Sequence, residues 1–119
     1  MSNAQGAPLF RSRPAVTTNV DAFTAVVPTE ITRLAVVNLT GSAATYRLFH
    51  VPSGVVLADD HAIRYDVSVA AGGFSEVVTT GPNGGVHLAE GDKLYVRSAT
   101  ASALTFIGYG VSANIAPRS

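Results

Sequence analysis

Short runs of alternating apolar and polar residues follow one another along this chain, and turn-forming residues separate them. The clearest run is 63–69, where Ile63, Tyr65, Val67 and Val69 alternate with mostly polar side chains. Successive side chains of a strand point to opposite faces of a sheet, so this run predicts a strand with one buried face. No segment repeats its apolar residues every 3.6 positions, as an amphipathic helix does. Other strand-like runs occupy 33–37, 45–51, 94–97 and 104–111.

The spacing of these runs predicts an all-β fold. Turn residues break the chain into about eight strands, which is typical of a single antiparallel β-sandwich, here of a jelly-roll-like kind. Phe74 opens one of these strands and is expected to point inward. Two glycines around Tyr109 indicate a bulge or a close backbone approach in the last strand. The residues expected to form the core are Leu34, Val36, Leu48, Tyr65, Val67, Leu94, Val96 and Phe106.

The first fourteen residues do not fit this pattern. Gln5-Gly6-Ala7-Pro8 interrupts regular structure, and a proline at position 14 holds the preceding residue extended. We therefore expect residues 1–14 to form an extended N-terminal arm and residues 15–119 to form the sandwich. The arm is either a frayed terminus or a segment that docks on a neighbouring subunit. In the second case its partner-binding residues are Leu9, Phe10, Arg11 and Arg13, with the aromatic ring as the anchor.

The composition of the chain adds a prediction about assembly, because a weakly charged surface favours contact with other subunits. The 119 residues are sufficient for one domain, and they are 47% apolar but only 13% charged, with a formal net charge of zero. An ordinary soluble domain carries about 25% charged residues. Near-zero net charge promotes association, so the surface is either rich in small polar residues or covered by other subunits. The eight basic residues are scattered and no long apolar run occurs, so we expect neither nucleic-acid binding nor a membrane span.

No motif in the chain predicts an active site, so we expect no catalytic residue, no cofactor and no metal. The absence of cysteine excludes disulfides and thiolate metal sites. Asp59-Asp60-His61 is a weak metal-binding signal without further ligands, and the glycine-rich segment 81–85 lacks the lysine and helix of a phosphate loop. Asn38-Leu39-Thr40 matches a glycosylation acceptor, but its position indicates a junction between a strand and a turn. We expect the protein not to be an enzyme.

Four segments carry a resemblance to a known group of proteins. Residues 37–48 form a strand, an asparagine-centred turn and a strand, and residues 51–54 read Val-Pro-Ser-Gly. Residues 67–73 and 88–96 complete the pattern before a closing strand. With these segments, the chain from about residue 32 to residue 111 resembles small β-sandwich structural proteins of tailed phages, of the head-decoration, cement or tail-associated type. The shared motifs are turns, and the pattern contains no catalytic residue.

The resemblance implies a virion component. It favours a capsid decoration or cement protein that bridges subunits of a tailed-phage head. Its partners would be other virion proteins, above all the major capsid protein, and it would form a homo-oligomer, with a trimer favoured. It would be made in the host bacterial cytoplasm and reside on the capsid surface. An apolar patch together with an ordered N-terminal arm would favour this function.

The alternative is a tail-fibre or baseplate-associated module that recognises a surface glycan or another virion protein. A clustered patch of aromatic and acidic residues at one loop end would favour it. The candidate residues for such a shallow sugar site are Tyr46, Tyr65, Tyr109, Asp59, Asp60 and Asn83.

Overall fold

The computed structural model of the chain describes residues 8–78 and 86–112. Within these ranges the secondary structure is nine β-strands and one short 3₁₀ turn, Asp59–His61, so the all-β prediction is confirmed. None of the described residues belongs to a helix that could span a bilayer. The strands are β1 (Pro8–Ser12), β2 (Val20–Thr24), β3 (Thr29–Asn38), β4 (Ala44–Val51), β5 (Ala62–Val69), β6 (Phe74–Val78), β7 (Val86–Leu88), β8 (Lys93–Ser98) and β9 (Leu104–Ser112).

The strands form two antiparallel sheets that pack face to face. The first sheet has the order β1-β9-β3-β6, with β7 also paired to β3, and the second has the order β2-β8-β4-β5. The chain changes sheet at every connection except β4 to β5 and β6 to β7. Apart from the added β7, this is the strand order of a jelly roll, in which two four-stranded sheets enclose one core. The predicted sandwich is therefore confirmed.

The core fills the space between the sheets. Six of the eight predicted core residues are buried, and the Tyr46 ring packs edge-on against Phe106 with centroids 5.7 Å apart. The hydroxyl of Tyr46 shares a hydrogen bond of 3.1 Å with Ser75 at the margin of this core. The six buried residues are Leu34, Val36, Leu48, Leu94, Val96 and Phe106.

Tyr65 is not in the core, because a β-bulge interrupts the alternation of β5. Tyr46 pairs with Val67, but Leu48 pairs with Arg64, so two residues of β5 lie opposite one residue of β4. The extra residue is accommodated at Asp66, whose φ of 53° is left-handed. Tyr65 consequently turns outward and is 45% exposed, while Val67 stays half-buried against the core. The prediction that Tyr65 is buried is wrong.

Phe74 also points away from the core. It pairs directly with Val37, whose neighbour Val36 faces inward, so Val37 and Phe74 both lie on the outer face of the first sheet. Its ring is 70% exposed. The prediction of an inward Phe74 is wrong, because the register with β3 sets its face and that register cannot be read from 74–78 alone.

The segment expected to be an arm is an integral strand. β1 pairs with β9, and the Phe10 ring enters the core and stacks on Phe23 with centroids 5.6 Å apart. Beyond β1, the Ser102 amide donates to the carbonyl oxygen of Pro14 at 2.8 Å. The predicted boundary at residue 14 is therefore wrong, because the sandwich already includes residue 8. Residues 1–7 of the predicted arm lie outside the described part of the chain.

The close backbone approach predicted near Tyr109 occurs at Gly110. A Cβ built there would overlap the carbonyl oxygen of Glu30, at the point where the β3–β9 register shifts.

We expect Gly110→Ala to lower the free energy of unfolding by about 3 kcal/mol, since backbone atoms have to move. Urea unfolding measures this loss. Gly41→Ala is the matched control, because nothing lies within 4 Å of a Cβ at that position, and equal stability of both variants would contradict the prediction.

Candidate functional site

The loops of the sandwich gather at two ends, and each end is organised around one buried polar residue. The asparagine end, named for Asn38, consists of loops 13–19, 39–43, 70–73 and 99–103. The aspartate end, named for Asp92, includes loops 25–28, 52–61 and 89–92. A jelly roll places binding surfaces either on these ends or on the outer faces of its sheets.

Asn38 is a structural residue of its end. Its side-chain amide nitrogen donates to the carbonyl oxygens of Ser42 at 2.8 Å and Val69 at 3.0 Å. Its carbonyl oxygen accepts from the backbone amide of Thr40 at 2.9 Å and from the hydroxyl of Thr40 at 2.7 Å. The residue is 1% exposed. Both amide hydrogens are thus used inside the fold, which agrees with a strand–turn junction and leaves the nitrogen inaccessible for glycosylation.

Asp92 ties together the loops of the opposite end. Its carboxylate accepts from the backbone amides of Ser53 at 2.9 Å and Ala89 at 3.0 Å, and from Nε2 of His50 at 2.9 Å. Burial by itself would raise the pKa of Asp92, but these three hydrogen bonds outweigh burial and hold that pKa below its ordinary value. In the backbone of the same turn, the Ala25 amide donates to the carbonyl oxygen of Asp92 at 2.9 Å, and the Gly91 amide donates to the carbonyl oxygen of Ala25 at 2.6 Å. Loops 25–28 and 52–61 are therefore both anchored to loop 89–92.

These anchored loops display apolar side chains to solvent. Val26 is 77% exposed, Val56 is 85% exposed and Val55 is about half exposed. We call these three residues the valine patch. Single exposed apolar residues are normal on a protein surface, but these three lie on two loops that are both hydrogen bonded to the same turn, 89–92, and we treat them as a candidate contact surface.

A second candidate site lies on the outer face of the second sheet, towards the asparagine end. It is a cleft of about 220 Å³. We call it the arginine cleft, because Arg47 of β4 and Arg97 of β8 lie directly opposite each other in it. The other residues that line it are Thr17, Thr45, Tyr46, Asp66 and Ala99.

Arg47 is held in place within this cleft. Its Nε donates to Asp66 at 2.7 Å, and its guanidinium carbon lies 3.9 Å from the centroid of the Tyr65 ring. The hydrogen bond from Arg47 is the main reason why the pKa of Asp66 is below its ordinary value, and the positive charge of Arg97 adds to the effect. The same hydrogen bond raises the pKa of Arg47. The cleft therefore contains two guanidinium groups and an ionised carboxylate near neutral pH.

The four predicted partner-binding residues do not form one exposed surface. Phe10 lies in the protein's own core, and Leu9 packs against that core. Arg11 is exposed opposite Ile107, while Nε of Arg13 donates to the carbonyl oxygen of Ser102 at 2.9 Å. Phe10 is thus not available as an anchor for another subunit, because the sandwich buries it. Docking through Leu9, Arg11 and Arg13 stays a prediction.

The structure brings together only part of the predicted sugar site. The Tyr65 hydroxyl donates to Asp59 at 3.3 Å beside the arginine cleft. Tyr46 is buried, and Tyr109 lies in the other sheet under the guanidinium of Arg33. Asp60 is exposed in the 3₁₀ turn. Asn83 is outside the described residues.

Residues 59–61, which carry the weak metal-binding signal in the sequence, have a local structural role in the fold. Nδ1 of His61 accepts a hydrogen bond of 3.0 Å from the backbone amide of Ala58, and this bond closes the 3₁₀ turn. Across the residues that the structure describes, no group of three or more His, Asp or Glu side chains is arranged to hold a metal ion.

Comparison of the chain with known protein families, curated proteins and solved structures finds no match in any of the three. The candidate sites therefore rest on the geometry of this chain alone. Sequence reasoning missed Asp92 and the Arg47–Arg97 pair. The available signal was that both arginines occupy outward positions of strands whose other face is apolar, but their pairing depends on the sheet order.

Proposed function

We propose that this chain is a non-enzymatic structural protein of a tailed-phage virion, most specifically a decoration or cement protein of the head. The observation that carries the proposal is the valine patch on loops that Asp92 anchors. Apolar side chains on anchored loops lose little conformational freedom when a partner covers them, so most of the gain from burying them appears as binding energy. We propose the major capsid protein as the partner, which is the expectation that follows from the resemblance of the sequence to phage head proteins.

One further property supports a role within an assembly. The formal net charge is zero and only 13% of residues are charged, so copies repel each other weakly. We propose that the protein bridges capsid subunits as a homo-oligomer, a trimer by preference, and that buried contact area, not chemistry, is its contribution to the particle.

The test is to place charges in the patch. The double substitution Val26→Asp with Val56→Asp is expected to weaken binding to phage heads that lack the decoration protein by at least about a hundredfold, since two carboxylates would be desolvated at the contact. Sedimentation of heads with labelled protein measures the binding. Because both residues are exposed, the melting temperature should stay within a few degrees of the original.

Val16→Asp is the matched control, because Val16 is half exposed but lies in loop 13–19 at the opposite end. It should bind heads like the original protein. Full binding by the double variant, or equal loss in the control, would overturn the assignment of the valine patch as the capsid contact.

A further inference from the structure

The arginine cleft contains an electrostatic imbalance that the fold does not need. Arg47 and Arg97 are direct cross-strand partners, which places their Cβ atoms about 4.5–5.5 Å apart. Like charges directly opposite each other destabilise a sheet. Two threonines or a Thr–Arg pair would serve the outer face better, so this pairing suggests a use outside folding.

Only one of the two charges is neutralised locally. Asp66 hydrogen bonds to Arg47 through both carboxylate oxygens, at 2.7 and 3.4 Å. Arg97 uses its Nε to donate to the carbonyl oxygen of Thr17 at 3.0 Å, and its terminal nitrogens have no hydrogen-bond partner among the described residues. Among the residues that line the cleft, two guanidinium groups and one carboxylate leave one positive charge, while Asp59 lies beside the cleft on the Tyr65 hydroxyl and acts on Arg47. Because Nε is anchored, the terminal nitrogens of Arg97 are positioned to receive an anion.

The β-bulge in β5 builds the rest of the site. It places Asp66 in the left-handed region and turns Tyr65 outward, so that both flank Arg47. Bulges commonly re-aim side chains at binding sites. The hydrogen bond to Asp66 and the stacking on Tyr65 hold Arg47 on one side of the cleft, while Thr17 holds Arg97 on the other. The charged groups are therefore positioned before any ligand arrives.

The size and lining of the cleft restrict the ligand. Its volume of about 220 Å³ is below the range of about 300–1,000 Å³ that is typical of drug-sized ligands. The cleft is large enough for one small ring or one charged group of a ligand. The lining offers free donors at Arg97, acceptor capacity at Asp66 and hydroxyl groups at Thr17 and Thr45. A matching ligand must carry one negative charge and also hydroxyl groups that donate to a carboxylate.

We propose that the arginine cleft binds an acidic sugar residue, a carboxylate-bearing pyranose at the surface of a glycan. The sugar carboxylate binds the terminal nitrogens of Arg97, and a ring hydroxyl donates to Asp66. An acidic peptide side chain fits less well, because it has no hydroxyl to donate to Asp66 and leaves the repulsion between the two carboxylates without compensation. A sulfate ion fits less well for the same reason. The site is separate from the valine patch, since its loop residues Thr17 and Ala99 belong to the asparagine end.

The experiment is an NMR titration of the ¹⁵N-labelled full chain. The acidic probes are 3′-sialyllactose and tri-galacturonic acid, and their neutral counterparts are lactose and the tri-galacturonic methyl ester. A glutamate-rich peptide tests the other class of ligand. We expect at least one acidic sugar to shift the backbone amide signals of residues 45–47, 66 and 97 in a saturable manner. Its neutral counterpart should bind at least about tenfold more weakly, the factor that one charge-assisted hydrogen bond contributes.

Arg97→Gln should weaken binding of the acidic sugar by the same factor and change the melting temperature by no more than about two degrees, because it removes a like-charge contact together with one exposed hydrogen bond to Thr17. A purely structural arginine would lower that temperature. Arg64→Gln is the control with the same charge change, since Arg64 is exposed on β5 outside the lining and, among the described residues, donates to the neighbouring carbonyl oxygen of Ile63. Absence of saturable shifts with both acidic sugars overturns the proposal. Equal binding of the neutral sugars, binding of the peptide alone, or equal loss in Arg64→Gln also overturns it.

Discussion

Removal of residues 1–13 is expected to destabilise the isolated domain by more than about 4 kcal/mol, a large part of the roughly 5–15 kcal/mol that holds a domain folded. The deletion removes β1 and the Phe10 ring from the core. It also uncovers the edge of β9, which then presents unpaired backbone groups to other chains. Circular dichroism melting and size-exclusion chromatography should show a low or absent cooperative transition and aggregation.

Phe10→Ala isolates the contribution of the ring. The ring is 8% exposed, stacks on Phe23 and occupies the space that the missing side chain of Gly108 leaves free. We expect a loss of about 3 kcal/mol, the lower end for truncating a buried phenylalanine. Arg11→Ala on the same strand is the control and should change stability by less than about 0.5 kcal/mol, because Arg11 is exposed. An unchanged melting temperature of the truncated chain would show that β1 belongs to a contact with another subunit.

Asp92→Ala is expected to lower the free energy of unfolding by about 2 kcal/mol, because it leaves the backbone amides of Ser53 and Ala89 and the ring of His50 without their shared acceptor. The valine patch should lose its fixed geometry with it, so the proposed binding to phage heads should weaken as well. Asp60→Ala removes an exposed carboxylate from the nearby 3₁₀ turn and serves as the control. Equal urea midpoints for the two variants would contradict the anchoring role.

The same residue predicts a dependence on pH. Because the folded-state pKa of Asp92 is lowered, its ionised form stabilises the fold. This contribution is fully present above the unfolded pKa of about 3.9 and is lost as the pH falls through the folded-state value. The stability difference between the original protein and Asp92→Asn should therefore be constant from pH 5 to 7 and shrink below about pH 4. A difference that grows on acidification would contradict the lowered pKa.

The period-2 alternation of apolar residues determined the strands and most of the core. Leu34, Val36, Leu94 and Val96 were correctly predicted as buried because strand geometry is local and each run is long enough to define a face. The glycines around Tyr109 also predicted a close backbone approach, since only a residue without Cβ permits one. The fold class therefore followed from the sequence alone.

Pairings between distant segments were decided only by the tertiary structure. The bulge at Asp66 reverses the face of Tyr65, and it exists because β5 must match the register of β4. Phe10 is buried because β9, nearly a hundred residues later, supplies both a strand partner and a glycine beneath the ring. Nothing within residues 8–14 indicates that partner, so the sequence of this segment alone predicted an arm.

Both candidate sites depend on the same kind of distant contact. Asp92 acts on loops that are close only because the jelly roll brings their ends together, and Arg47 meets Arg97 only because β4 and β8 are neighbours in the second sheet. Sequence alternation could place each arginine on an outer face, but not on adjacent strands. The sequence by itself determined the inward side chains of β3, β4, β8 and β9, because alternation along a strand is local. The sheet order decided which outward side chains share a site.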